Sequence, residues 1–157
     1  MVAAGNGQTG ALLEDQTVKC WGSNYAGELG NGTSGTSSSV PVTVQGINNA
    51  IAISAKSSNT CAVLADGTAQ CWGDNSRGKL GDGTTSNSST PKTVSSLSSV
   101  TELAVGDYHS CALLEDQTVW CWGGGSFGAL GNGSEADSST PIQVTGLSGV
   151  VEVGPKQ

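Results

Sequence analysis

A triplet, Cys20-Trp21-Gly22, recurs as Cys71-Trp72-Gly73 and as Cys121-Trp122-Gly123, a period of about 50 residues. Downstream of each, Gly27-Glu28-Leu29-Gly30-Asn31-Gly32 matches Gly78-Lys79-Leu80-Gly81-Asp82-Gly83 and Gly128-Ala129-Leu130-Gly131-Asn132-Gly133. A proline-bearing extended segment follows in the same register: Val40-Pro41-Val42, Thr90-Pro91-Lys92 and Thr140-Pro141-Ile142. A fourth segment closes each unit, as in Ile51-Ala52-Ile53 and Thr101-Glu102-Leu103. Four short β-rich runs bounded by Gly, Pro and Ser are the content of one propeller blade. The expected fold is therefore all-β, with three four-stranded antiparallel blades of a β-propeller that form an open arc or are completed by another chain. The repeats span approximately 2–50, 51–100 and 101–150, and 151–157 begins a further blade strand.

Composition agrees and narrows the partners. With 24 glycines and 12% charged residues, turns are too frequent for a helical bundle. The net charge is −7, and the six Lys and Arg are scattered. No basic stripe exists to neutralise phosphates, so nucleic acid is not an expected partner. No apolar run is long enough to span a bilayer. The start, Met-Val-Ala-Ala-Gly-Asn, lacks both a positive region and an apolar core, so an exported form is expected to have shed its signal already.

The cysteines can be placed by counting. Cys61-Ala62-Val63-Leu64 and Thr68-Ala69-Gln70-Cys71 flank Ala65-Asp66-Gly67, which suits a three-residue hairpin loop with Gly67 left-handed. That loop pairs Leu64 with Thr68 and sets Cys61 opposite Cys71. The third repeat places Cys111 opposite Cys121 in the same way. Opposed residues of an antiparallel pair lie within disulfide range. Disulfides Cys61–Cys71 and Cys111–Cys121 are expected, and with them an oxidising compartment, extracellular or cell-surface. Buried free thiols and a metal site are the competing readings, and for the latter no further Cys or His repeats nearby. Gln16 and Gln117 replace Gly67 in the other two loops. They either bear a left-handed cost of roughly 1 kcal/mol each or form a different turn. In the first repeat Cys20 faces Gly10, leaving an odd thiol that is either buried or able to pair with another chain; burial beside Trp21 is favoured.

No catalytic constellation emerges. The one histidine, His109, has Asn59 and Gln8 as counterparts, so the position asks for a hydrogen-bonding side chain before a strand. Asp15, Asp66 and Asp116 recur at hairpin tips, where turn geometry accounts for them. Asp74, Asp82, Glu135 and Asp137 lie in polar loops without the alternating spacing of a calcium loop, and solvated charge is the expected role. The Gly-x-Leu-Gly-x-Gly stretch lacks the Lys-Ser/Thr pair of a phosphate loop. Neither a cofactor nor a metal is expected, and the protein reads as a non-enzyme. Asn-x-Ser/Thr sequons at Asn31, Asn87 and Asn132 matter only where the source glycosylates exported proteins.

The aromatic residues divide by whether they repeat. Trp21, Trp72 and Trp122 hold one slot in every copy and are expected to pack between blades. Trp120 replaces Lys19 and Gln70. Tyr25 stands where other copies have Ser76 and Ser126, and Phe127 where they have Ala26 and Arg77. Such variable positions escape the packing constraint, so Trp120, Tyr25, Phe127 and Arg77 are candidate protein-binding anchors, with burial at the rim as the alternative. Tyr108 is a further candidate.

The pattern Cys-Ala-Leu-Leu-x-Asp-x-Thr-Val-x-Cys-Trp-Gly, then x-Asn-x-x-Gly-x-Leu-Gly-x-Gly, then a Pro-x-x-Val strand, resembles the repeat of the regulator of chromosome condensation family in its cysteine-bearing bacterial form. The resemblance covers essentially the whole chain and implies propeller blades. Family members include a nuclear nucleotide-exchange factor and a secreted β-lactamase inhibitor, both seven-bladed. Fold alone transfers neither activity. The third repeat departs from the pattern, with Gly124-Gly125 in place of Ser23-Asn24 and Asp74-Asn75.

Three blades leave apolar faces and strand edges at both ends. Val151-Glu152-Val153 and Val2-Ala3-Ala4 fall in the same strand of the repeat, so Val2, Ala4, Val151 and Val153 are candidate assembly residues. The expectation is a non-catalytic module for protein–protein binding or self-assembly, as a homo-oligomer or within a larger propeller. The alternative is a regulator of an enzyme, inhibitor-like or exchange-like, as part of a larger propeller.

Overall fold

The computed structural model describes residues 1–154. The first blade contains β1 (Val2–Ala4), β2 (Gln8–Leu12), β3 (Val18–Gly22) and β4 (Ser38–Thr43). The second contains β5 (Ala50–Lys56), β6 (Asn59–Leu64), β7 (Ala69–Gly73) and β8 (Ser88–Thr93), and the third β9 (Val100–Val105), β10 (His109–Leu114), β11 (Val119–Gly123) and β12 (Ser138–Gln143). Each blade is an antiparallel meander in sequence order. Residues 155–157, the tail of the further strand expected at 151–157, lie outside the described residues, and 151–153 join no ladder.

Register follows the loop arithmetic. Leu64 and Thr68 close the second hairpin by a 2.9 Å backbone bond, and Cys61 stands opposite Cys71. Cys111 likewise stands opposite Cys121, and Gly10 opposite Cys20. Both disulfides are formed, with Cα atoms 4.1 Å apart in each. Gln16 (φ 65°) and Gln117 (φ 67°) keep the left-handed conformation of Gly67 (φ 79°), so all three turns are alike. The compensation comes from the preceding Asp. Asp15, Asp66 and Asp116 each accept the N–H and the Oγ–H of the Thr two residues on, the latter at 2.6 Å. Those bonds also lower the three carboxyl pKa values below the ordinary aspartate range. Pro41, Pro91 and Pro141 sit on the last strand of each blade, where a missing N–H is tolerated.

Alternation along the strands sends each blade's two faces to different neighbours. Val18, Cys20, Leu29, Val44 and Ile47 of the first blade pack with Ala62, Leu64 and Trp72 of the second. The opposite face of the second blade, with Cys61, Val63, Cys71 and Leu80, packs with Ala112 and Trp122 of the third. The third blade's far face gathers Leu113, Val119, Cys121 and Leu130, partly covered by Val150 and Val153. Tryptophans thus look back along the chain and cystines look forward.

Cys20 is fully buried, and burial pushes its thiol up to about 12. Alkylation without reductant followed by mass measurement is expected to find two disulfides and one thiol per chain, the thiol reacting only after unfolding. Five reactive thiols would overturn the pairing. Reduction is expected to lower stability by about 2–3 kcal/mol per bridge, the gain predicted for a loop of this length.

Candidate functional site

Two places in the fold present groups that packing does not consume: one loop-bearing edge, and the two end faces. The edge is built from the loops after β3, β7 and β11, together with the turn between β9 and β10. In the first two loops a buried asparagine organises the backbone. Asn24 Nδ2 donates to Thr33 C=O and Thr36 C=O while its Oδ1 accepts the Leu29 N–H. Asn75 repeats this with Thr84, Ser86 and Leu80. The third loop has Gly125 there and closes differently, through a 3-10 turn at Ser126–Gly128 in which Phe127 takes φ 60°.

The side chains singled out by their variability then fall into two sets. Phe127 is 98% exposed, Tyr25 84% and Tyr108 65%. The guanidinium of Arg77 lies 5.4 Å from the Tyr108 ring centroid, donates to Ser126 Oγ at 3.0 Å and stands 3.5 Å from Asp137. Arg77 thereby links the second loop to the third and to the Tyr108 ring. Trp120 belongs elsewhere: it is half-buried against the cluster between the second and third blades, and its indole N–H donates to Thr118 Oγ1.

Sequence reasoning missed the charge under this edge. Lys79 is buried and pairs with Asp74 at 2.7 Å, and its Nζ also donates to the Asp107 carbonyl at 3.2 Å. Asp74 is thus not the solvated loop charge expected. Burial raises its pKa, but the hydrogen bond and charge of Lys79, with help from Ser76, outweigh that, and the net shift is downward. The usable signal was Glu28, Lys79 and Ala129 at one repeat position, where a Lys within an otherwise apolar turn asks for a partner. Asp82 and Asp137 accept local bonds from Thr84 and Gly125. Among the described residues no group of three or more His, Cys, Asp or Glu is placed to hold a metal. His109 is half-buried at the start of β10, whereas its counterparts Gln8 and Asn59 are fully buried.

At the blade junctions one lock is used twice. Trp72 Nε1 donates to the Glu28 carbonyl at 2.9 Å, and Trp122 Nε1 to the Lys79 carbonyl at 2.7 Å. Each indole is admitted by a glycine. A Cβ on Gly30 or Gly81 would lie 2.8 Å from the indole nitrogen, and both residues have positive φ. Trp72 and Trp122 are fully buried, but Trp21, expected in the same role, is half-buried because no described blade lies against it. Val2 and Ala4 are exposed on β1, with Ala3 between them buried. Val151 is exposed, and the N–H of Val153 donates to Glu102 at 3.0 Å.

Structural comparison returns the same architecture. Human WBSCR16 superposes with a TM-score of 0.82 at 25% identity, over 92% of this chain and 37% of that one. Prp20p from Saccharomyces cerevisiae gives 0.83 at 21% identity over 92% and 38%, and yeast RCC1 (Prp20) in complex with Kap60 gives 0.81 at 20% over 92% and 36%. The chain therefore spans less than two-fifths of the length of these structures. Sequence comparison matches the regulator of chromosome condensation (RCC1) repeat to residues 17–63, 66–113 and 116–154, and a second form of that repeat to 50–79 and 100–129. With the repeat matched three times across blades of this geometry, the chain belongs to the regulator of chromosome condensation (RCC1) repeat family.

Proposed function

We propose that the chain is a non-catalytic propeller-repeat module for protein–protein binding or self-assembly, working outside the cell or at its surface. The observation that carries this reading is the display of Tyr25, Tyr108 and Phe127 on one edge, at positions that differ between copies of an otherwise repeated scaffold. Aromatic residues are enriched among those that dominate interfaces. Phe127 adds a second support, since a left-handed backbone at a non-glycine residue is an unfavourable conformation that here presents a ring to solvent. The two disulfides favour an oxidising compartment. Prp20p, whose structure is described with its binding to Gsp1p and histones, illustrates a propeller of this fold that binds proteins. The second reading is a regulator of an enzyme, inhibitor-like or exchange-like, as part of a larger propeller.

The test is comparative capture. Immobilised protein and a Tyr25→Ser, Tyr108→Ser, Phe127→Ser variant are exposed to the exported proteins of the source. A partner retained by the first and reduced about tenfold on the second, a loss of roughly 1.4 kcal/mol, is expected, with matching thermal melts. Equal retention by both would remove the edge from the proposal.

A further inference from the structure

One fully buried amide of the fold is left without hydrogen bonds. Asn59 is 0% exposed, and among the described residues neither its Nδ2 nor its Oδ1 finds a partner. Since both ends are unpaired, turning the amide over changes nothing. Such groups are rare inside proteins, because an unpaired buried amide bears the full cost of leaving water. Asn59 opens β6, as Gln8 opens β2 and His109 opens β10. The three share one register, opposite Gly73, Gly22 and Gly123. Gln8 shows what the position does: its Nε2 crosses the first junction and donates to the Asn59 carbonyl at 3.5 Å. At that junction the Gln8 Oε1 and the Thr60 hydroxyl stay unpaired. Asn59 shares the strand face of Cys61 and Val63, which pack against the third blade. It is thus aimed across the second junction as Gln8 is across the first, with the His109 carbonyl as the matching acceptor. That carbonyl takes the Gly106 N–H at 2.8 Å and has a second lone pair to offer.

We propose that the second junction encloses a structural water site, in which one water joins the Asn59 amide to the His109 carbonyl. Asparagine is one methylene shorter than glutamine. Withdrawing the amide by a carbon with bonds of about 1.5 Å opens the 3.5 Å contact to the span that one water bridges, about 4.5 to 5 Å for two hydrogen bonds of about 2.8 Å. The chemistry agrees. A water accepts the Nδ2–H on the Oδ1 side, donates one hydrogen to Oδ1 and gives the other to the His109 carbonyl. Those are three bonds, the usual number for a buried water. A bare ion could serve only one end of the amide. Both blades of this junction lie among the described residues, and the site is independent of the loop edge.

Proton NMR of the unaltered chain reads the site directly. Cross-relaxation is expected between the Asn59 Nδ2 protons and the water resonance, with the sign of a water held longer than the protein takes to tumble. To separate water from hydroxyl exchange, Thr60→Val removes the adjacent hydroxyl and is expected to leave the signal in place. Asn59→Gln restores the missing methylene. It is expected to bond across the junction directly, lose the water signal at residue 59 and melt at an unchanged or higher temperature. A crystal structure of the unaltered chain is expected to place an ordered water about 2.7–3.2 Å from the Asn59 amide. An Asn59 amide that is dry, or turned onto protein atoms, overturns the proposal. So does a water signal that vanishes in Thr60→Val or survives in Asn59→Gln.

Discussion

Trp72→Ala is expected to cost about 3 to 5 kcal/mol of folding stability, the range for deleting a large buried aromatic side chain. The side chain is fully buried in the cluster shared by the first two blades. Its loss opens a cavity and leaves the Glu28 carbonyl without its indole donor. Against a net stability of 5 to 15 kcal/mol for an ordinary domain, that is a large fraction. Trp120→Ala is expected to be much milder, about 1 kcal/mol, because the ring is only half-buried and its N–H bonds to the adjacent Thr118. Denaturant melts of both variants decide the matter. A larger loss from Trp120 than from Trp72 would show that their roles are exchanged.

Asn75→Ala is expected to lose about 3 kcal/mol although it deletes few atoms. The side chain is completely buried and holds the loop after β7 together from within, accepting the Leu80 N–H at 2.9 Å and donating to the Thr84 and Ser86 carbonyls. A buried group stripped of its partner costs roughly 1 to 3 kcal/mol, and three are stripped together, some of them rescued by water. The loss should be local in onset. Hydrogen exchange at the Leu80 amide is expected to quicken by a larger factor than at strand amides such as Val63. A stability change below 1 kcal/mol, with Leu80 still protected, would show that the asparagine does not staple the loop.

How much of this was visible in the residues alone varies with the range of the interaction. The opposition of Cys61 and Cys71 was legible to the residue, because a three-residue loop and strict alternation leave no freedom of register. The turn at Gln16 was half legible. Its cost followed from the missing glycine, but the compensating bonds from Asp15 to Thr17 required knowing that the loop kept its shape. The asparagine staples were present in the repeat pattern as Asn24 and Asn75, yet a polar residue in a Gly/Ser loop reads as solvated until the loop is seen to wrap around it. Trp21 and Trp72 show the limit of a single-repeat argument. Their local sequences are alike, and their burial differs because it belongs to the adjoining blade.

The placement of the two disulfides also bears on how such a gene can change. Each bridge links residues ten apart within one hairpin, while the indole-to-carbonyl bonds and the rim backbone bonds between blades join the same repeat positions at both junctions. Unequal crossing-over that adds or removes one whole repeat therefore severs no covalent link and strands no cysteine. It also supplies each new junction with its own tryptophan, carbonyl and glycine. Copy number can drift by single units without reinvention of the interface, whereas a break between Cys61 and Cys71 or between Cys111 and Cys121 would separate a cysteine from its mate and be removed by selection on folding.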